Sequence, residues 1–257
     1  MSASSSTASA VHPAVTRDAV ELIYRAIDGE VVRVPLLVGW RERFEAVAPV
    51  RGFPSWRGQR NFPGLWWSAT SGEHVGFESW LERDHAMMLD FDPHVIGFSS
   101  QPFWLCWSTD QGPRRHAPDF FARLHDDSAC VVDVRPDQRI RPSDAEAFAM
   151  TAQACASVGW DYRRVGERDP ILVANIRWLS GYRHSRCEPG SALVRALREV
   201  FAEPAGLLRG ARQLGDPLAI LPALFHLLWM GDLVTDLTTT PLSLASTVWS
   251  RRDGGRG

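Results

Sequence analysis

The chain has 257 residues and 45% hydrophobic content, enough for one full domain plus a smaller second one, each with a core that needs no covalent staples. Its formal charge of -2 excludes a uniformly basic nucleic-acid binder, leaving room for a local cationic face, and all 28 of its cationic residues are arginine. Four cysteines, Cys106, Cys130, Cys155 and Cys187, form no Cys-x-x-Cys pair, which speaks against a zinc site or a disulfide framework.

No apolar run approaches the roughly 20 residues that span a bilayer. Met1 to Ala10 is Ser/Ala-rich without the regions of a signal peptide, so a cytoplasmic protein is expected. Residues 1–15 and 251–257 read as polar tails, with a first block from 16 to 187 and a second from 188 to 250.

From Thr16 to Val50, β-branched runs such as Val31-Val32-Arg33-Val34 predict strands that precede the main domain. Gly52 to Gly64, rich in Gly, Pro, Arg and Trp, reads as an irregular basic loop. Apolar residues at Phe77, Leu81, Met88 and Leu89 predict a helix from Phe77 to Asp90, and Val95 to Leu105 follows as an extended segment. His116 to Leu124 and Ala129 to Val134 form a predicted hairpin turned by His125-Asp126-Asp127-Ser128. Ser143-Asp144-Ala145-Glu146 has capping-box spacing before a helix, Trp160 to Val165 reads as a strand, and Asp169-Pro170 starts a helix from Ile171 to Tyr182. The second block holds helical patterns at Ala192 to Phe201 and Leu218 to Trp229, then short apolar runs at Leu233 to Leu237 and Ser246 to Trp249. Helices followed by a small hairpin point to a winged-helix module, or to padding of the first domain.

Within the hairpin, Pro118-Asp119 opens one strand and Asp133-Val134-Arg135 closes the next, so pairing brings the two aspartates together. Strand alternation places Asp133 and Arg135 on one face. An acid ending the apolar run Ala129-Cys130-Val131-Val132 needs a partner or a metal if buried. Hard oxygen ligands suit Mg²⁺ or Mn²⁺, which take one or two carboxylates plus substrate phosphate, and a cation such as Arg135 would offset developing negative charge. Glu78, Glu82 and His85, at spacings of four and three, are expected to share a helix face, with Glu82 a third acid or a solvated surface residue.

The ordered set Leu81-Glu82, Leu89-Asp90-Phe91-Asp92-Pro93, Gln101-Pro102, Pro118-Asp119-Phe120 and Val132-Asp133-Val134-Arg135-Pro136 resembles the amino-terminal domain of the TnsA endonuclease subunits of heteromeric transposases. Order and approximate spacing agree from about Trp66 to Tyr182, and Val173 to Leu179 resembles the segment after the family's last core strand. The resemblance implies an α/β restriction-endonuclease-like fold, a mixed sheet flanked by helices over 16–187, with a winged-helix-like carboxy-terminal domain over 188–250. It implies Glu82, Asp119 and Asp133 as ligands of Mg²⁺ or Mn²⁺, with Arg135 as the fourth catalytic residue. The family commonly has Gln or Glu, Val, Lys where this chain has Asp133-Val134-Arg135. Asp133 keeps a hard oxygen, whereas Arg135 cannot serve as a base because arginine stays charged.

The same resemblance implies hydrolysis of a phosphodiester at the 5′ ends of a transposon in double-stranded DNA, alongside an integrase-fold transposase that acts on the 3′ ends. An AAA+ ATPase regulator would be another chain, since no Gly-x-x-x-x-Gly-Lys loop occurs here. A scaffold with a degenerate metal site and a stand-alone defence or repair nuclease are the alternatives. Arg114, Arg115, Arg139 and Arg141 are candidate phosphate contacts, as are Arg163-Arg164 and Arg183 with Arg186, although such pairs are often plain surface. His74, His85 and His116 are candidate proton carriers, and Trp66-Trp67, Trp104 and Trp107 candidate base stackers, with structural roles the commoner ones.

Overall fold

The structure is a computed structural model that describes residues 20–53, 58 and 62–251. The expected tails, apart from Arg251, and most of the basic loop from Gly52 to Gly64 lie outside the described residues.

The chain enters as an antiparallel hairpin, β1 (Glu21–Arg25) and β2 (Val31–Pro35), followed by the single turn α1 (Leu36–Gly39). This hairpin does not precede the main domain but is part of it. Leu22 and Tyr24 of β1 alternate inward, and β1 pairs with a strand some eighty residues on, β6 below. A small ribbon of β3 (Gly64–Trp67) and β4 (His74–Phe77) leads into helix α2 (Trp80–Phe91). The helix starts three residues later than its apolar pattern predicts because Phe77 belongs to β4 and Ser79 caps it, accepting Glu82 N–H at 3.2 Å.

The predicted segment from Val95 to Leu105 is two strands, β5 (Val95–Ser100) and β6 (Trp104–Thr109), broken at Gln101, whose φ is 47°. There the chain leaves one sheet and joins another. β6 turns back as β7 (Gly112–His116), and β8 (Phe120–Leu124) and β9 (Ala129–Val134) form the predicted hairpin, except that its first strand starts at Phe120, because His116 ends β7 in the other sheet. Helix α3 (Pro142–Val158) then crosses to β10 (Asp161–Val165), parallel to β9. Its capping carboxylate is Asp144, accepting Arg141 N–H at 3.2 Å, and not Glu146, since Pro142 takes the first helical position. Gly159 ends it in the left-handed conformation (φ 77°) that glycine adopts without penalty.

Two sheets result. The central one runs β10-β9-β8-β5 and is mixed; the other runs β2-β1-β6-β7 and is antiparallel. On one face of the central sheet, Cys130, Val132 and Val134 pack with Ala86 and Met87 of α2 and with Ile176 and Leu179 of α4 (Pro170–Leu179). On the other, Phe121 and Val131 meet Leu22 and Leu105 of the second sheet and Cys155 of α3. Phe44 sits at the centre of this second core, with ring centroids 5.2 Å from Tyr24, 4.8 Å from Phe103, 5.5 Å from Phe121 and 5.8 Å from Trp160.

The remaining elements are α5 (Ser191–Val200), β11 (Ala205–Gly206), α6 (Leu207–Leu214), α7 (Pro217–Trp229), β12 (Leu233–Thr235) and β13 (Thr247–Ser250). The hairpin of β12 and β13 matches the sequence reading, while α6 and β11 were not foreseen. β11 joins that hairpin in a sheet of order β11-β13-β12. No helix among the described residues is long and apolar enough to cross a membrane. Because Phe44 fills the junction of the two sheets, Phe44→Ala is expected to lower unfolding free energy by about 3–5 kcal/mol in a denaturant titration; a loss under about 1 kcal/mol would mean the junction collapses around the cavity.

Candidate active site

The β8–β9 register, Phe120↔Val132 and Phe121↔Val131, sets Asp119 opposite Asp133 one step further along. The expected meeting of the two acids is therefore present in the backbone. Asp119 Oδ2 accepts the Val134 N–H at 2.7 Å, tying the start of β8 to the end of β9. Its own carbonyl accepts Gln101 N–H at 3.0 Å, which extends the β5–β8 ladder. Burial raises the Asp119 carboxyl well above the usual carboxylate range, and the charges of Glu82 and Asp133 raise it further; the Val134 N–H and Arg135 act in the opposite direction.

Asp133 is buried, with 1% of its surface exposed. Since Val132 and Val134 face α2, the period of two turns Asp133 toward α3. There Oδ1 lies 2.7 Å from His116 Nε2 at the end of β7, and Oδ2 accepts the Tyr162 hydroxyl of β10 at 2.8 Å. Burial and the Asp133 charge push the Tyr162 phenol up, so it remains a protonated donor. The His116 ring stands edge-on to Phe148 of α3, centroids 6.0 Å apart.

Glu82 folds back onto the start of α2. It accepts the Glu78 N–H at 2.7 Å and the Ser79 hydroxyl at 2.9 Å, completing a reciprocal capping box with Ser79. Burial raises its carboxyl, against the pull of those two hydrogen bonds. Glu78 precedes the helix, so Glu78, Glu82 and His85 do not share a helix face as the spacing had implied. Glu78 Oε2 accepts from Arg51 Nη2 at 3.0 Å. His85 is buried, 2.8 Å from the Gly166 carbonyl after β10, and burial lowers its pKa; it joins α2 to the sheet.

Arg135 follows β9, and its N–H donates to Val165 O at 2.8 Å, extending the parallel pairing. Its Nε is buried without a hydrogen-bond partner among the described residues, 3.9 Å from Asp144 Oδ2. Of the phosphate-contact candidates, Arg114 donates to Gln111 Oε1, Arg115 stacks over Trp104 at 4.3 Å, Arg139 is exposed in a short turn, and Arg141 pairs with Asp144. Arg183 is structural: it donates to Trp67 O and Ser180 O and lies 4.2 Å over the Trp66 ring. His74 is exposed on β4.

Asp119 is thus close enough to Glu82 and Asp133 to feel both charges, yet no three His, Cys, Asp or Glu side chains among the described residues are arranged to hold a metal. The reason is local: Glu82 engages its own helix end, and Asp133 engages His116 and Tyr162. Oxygen acceptors for a hard cation are nevertheless present, since Glu78 Oε1 is buried without a partner among the described residues, as is Gln101 Oε1. Sequence reasoning passed over Tyr162 and Ser79. The Ser79-x-x-Glu82 spacing was a readable capping signal, whereas nothing local marks Tyr162 as the partner of Asp133. A cavity of about 620 Å³ lined by Ala202, Pro204, Val234, Trp249 and Arg251 lies in the C-terminal block, away from these acids. No family model matches this chain, and no curated protein sequence matches it.

Two outcomes follow from the electrostatics. A carboxyl whose folded pKa is raised gives stability that is full below its unfolded pKa, about 3.9, and is lost as pH rises through the folded value. Asp119→Asn, which keeps an acceptor for Val134 N–H, is therefore expected to raise the melting temperature at pH 7, by about 2–4 °C per kcal/mol, with the gain shrinking as pH falls through the raised folded value and gone by about pH 4; an unchanged or lower value at pH 7 would contradict it. Tyr162→Phe removes a donor from buried Asp133 and should cost about 1.5–3 kcal/mol in chemical denaturation, where a change within about 0.5 kcal/mol would show the bond to be dispensable.

Proposed function

We propose that this chain is a metal-dependent DNA endonuclease of the restriction-endonuclease-like class, the TnsA-like subunit that cuts the 5′ ends of a transposon in a heteromeric transposase. The observation that carries the reading is the placement of Asp119 one step beyond the last β8–β9 pair, opposite buried Asp133 and within reach of the Glu82 charge. Three acids crowded in this way repel one another, and a divalent cation relieves the repulsion. The topology supports it: α2, then the antiparallel strands β5, β8 and β9, then α3 crossing to the parallel β10, is the order this fold class uses.

Glu82, Asp119 and Asp133 would hold Mg²⁺ or Mn²⁺, once the side chains of Glu82 and Asp133 turn from their present partners. When bound, such an ion supplies a Lewis acid and an activated water at the scissile phosphate. Asp119, fixed by the Val134 N–H, orients the site, and the Tyr162 hydroxyl and His116 keep Asp133 placed. Arg135 stays cationic and offsets charge on the phosphate oxygens; it has no role as a base.

The C-terminal elements run helix, strand, helix, helix, strand, strand, the order of a winged helix, with α6 and α7 separated by Gly215-Asp216. Ala223 to Trp229 of α7 are buried, and Phe91 of α2 packs on Trp229 at 5.1 Å. Burial of the second helix of this pair removes it from groove reading, which favours contact with an integrase-fold transposase partner over sequence recognition. An AAA+ ATPase would be a further subunit of the same machine.

A second reading, a DNA-binding scaffold with a degenerate site, is favoured by one observation: both oxygens of Asp133 already have protein donors. Calorimetric titration of Mn²⁺, with nicking of transposon-end DNA in the presence of the partner transposase, separates the two. The nuclease reading expects binding and nicking that both vanish in Asp119→Ala/Asp133→Ala, and Arg135→Ala nicking about 10²–10³-fold more slowly. Absent metal binding with DNA or partner binding intact would establish the scaffold.

A further inference from the structure

The Gln101 carboxamide, unlike its backbone, has no part in the fold or in the catalytic roles proposed above. Gln101 is 1% exposed and sits in the left-handed region at φ 47°, uncommon for a residue other than glycine. Its backbone is fully engaged, donating to Asp119 O at 3.0 Å and accepting Val50 N–H at 2.9 Å. Its carboxamide is not: neither Oε1 nor Nε2 has a hydrogen-bond partner among the described residues.

Leaving such groups buried and unpaired costs about 1–3 kcal/mol each, and methionine would fill similar space without that cost. The two other buried groups of this kind outside the acidic site, the indole N–H of Trp107 and of Trp160, belong to rings whose apolar bulk packs the second core. Gln101 follows the last β5–β8 pair, Ser100↔Phe120, and its backbone N–H bonds the Asp119 carbonyl, so the two residues are backbone neighbours at that strand end. The remaining unpaired buried atoms are Glu78 Oε1, after β4, and Arg135 Nε, after β9; the Glu78 charge is felt by Glu82 and the Arg135 charge by Asp119. Apart from the two indoles, the unpaired buried side-chain atoms among the described residues thus belong to residues next to Asp119 in the backbone or coupled by charge to Asp119 or Glu82.

We propose that the Gln101 carboxamide is a positioning group of the Asp119 site, hydrogen-bonding the water shell of a divalent cation bound there. The inference rests on the metal-dependent reading above. Mg²⁺ and Mn²⁺ sites of this kind keep several waters, whose O–H groups suit Gln101 Oε1 and Glu78 Oε1, while Gln101 Nε2 donates to a water or phosphate oxygen. A neutral amide adds these contacts without a further negative charge beside Asp119, Glu82 and Asp133.

The test uses the full chain, Mn²⁺ calorimetry and thermal melting without metal. Gln101→Met is expected to melt at or above the wild-type temperature in the metal-free state while binding Mn²⁺ about ten-fold or more weakly, the range set by removal of outer-shell partners. A purely structural glutamine gives the opposite pattern, lower metal-free stability with unchanged Mn²⁺ affinity, and that result overturns the proposal. If Gln101→Met does not fold, Gln101→Asn, which withdraws the amide by one methylene, replaces it: weakened Mn²⁺ binding supports the role and unchanged binding overturns it. Should Asp119→Ala abolish Mn²⁺ binding while both Gln101 variants bind as wild type, the metal reading stands and this inference falls. Should the wild type take up no Mn²⁺, both fall together.

Discussion

A carboxylate withdrawn from water must be given donors or a cation, and two of them, Asp119 and Asp133, stand opposite each other at the ends of adjacent strands in this protein. Much of the surrounding architecture answers that demand. The Val134 N–H serves Asp119, and His116 and Tyr162 serve Asp133 from two further strands. β7 and β10 therefore belong to different sheets yet meet at one side chain. The antiparallel sheet, which the chain begins with β1 and β2 and finishes with the β6–β7 insertion, delivers His116; the α3 crossover delivers Tyr162.

Asp90 shows what a purely structural acid looks like in the same molecule. Its carboxylate accepts from Trp66 Nε1 at 2.9 Å, Ser68 Oγ at 2.8 Å, Ala69 N at 3.1 Å and Thr70 N at 2.9 Å. Those donors, together with the nearby Arg183, knot the β3–β4 ribbon to the end of α2. Among the described residues the Asp119 carboxylate accepts a single hydrogen bond, and it feels two neighbouring negative charges instead. The two buried acids therefore differ in how fully protein donors offset their charge.

The C-terminal elements are not a loosely tethered addition. Leu197, Phe201, Leu224 and Leu228 belong to the same continuous apolar core as Met87 of α2 and Val132 of β9. Asn175 of α4 donates to Leu237 O and Thr240 O, both at 2.9 Å, and accepts Leu242 N–H at 2.7 Å, so the loop between β12 and β13 is bound directly to the first block.

Local pattern was enough to place the β8–β9 hairpin with its turn, α4, α5, α7 and the β12–β13 hairpin, because strand alternation, helical periodicity and the Asp-Pro starts are written in neighbouring residues. The same hairpin logic brought Asp119 to Asp133. What only the tertiary structure decided lies at long sequence separation: the pairing of β1 with β6, the Tyr162 and His116 partners of Asp133, and the exit of Gln101 from one sheet toward the other. Glu82 marks the boundary between the two. Its type was readable as an acid at the start of a helix, but whether it caps that helix or faces Asp119 depends on a rotamer, and rotamers are set by what packs around them.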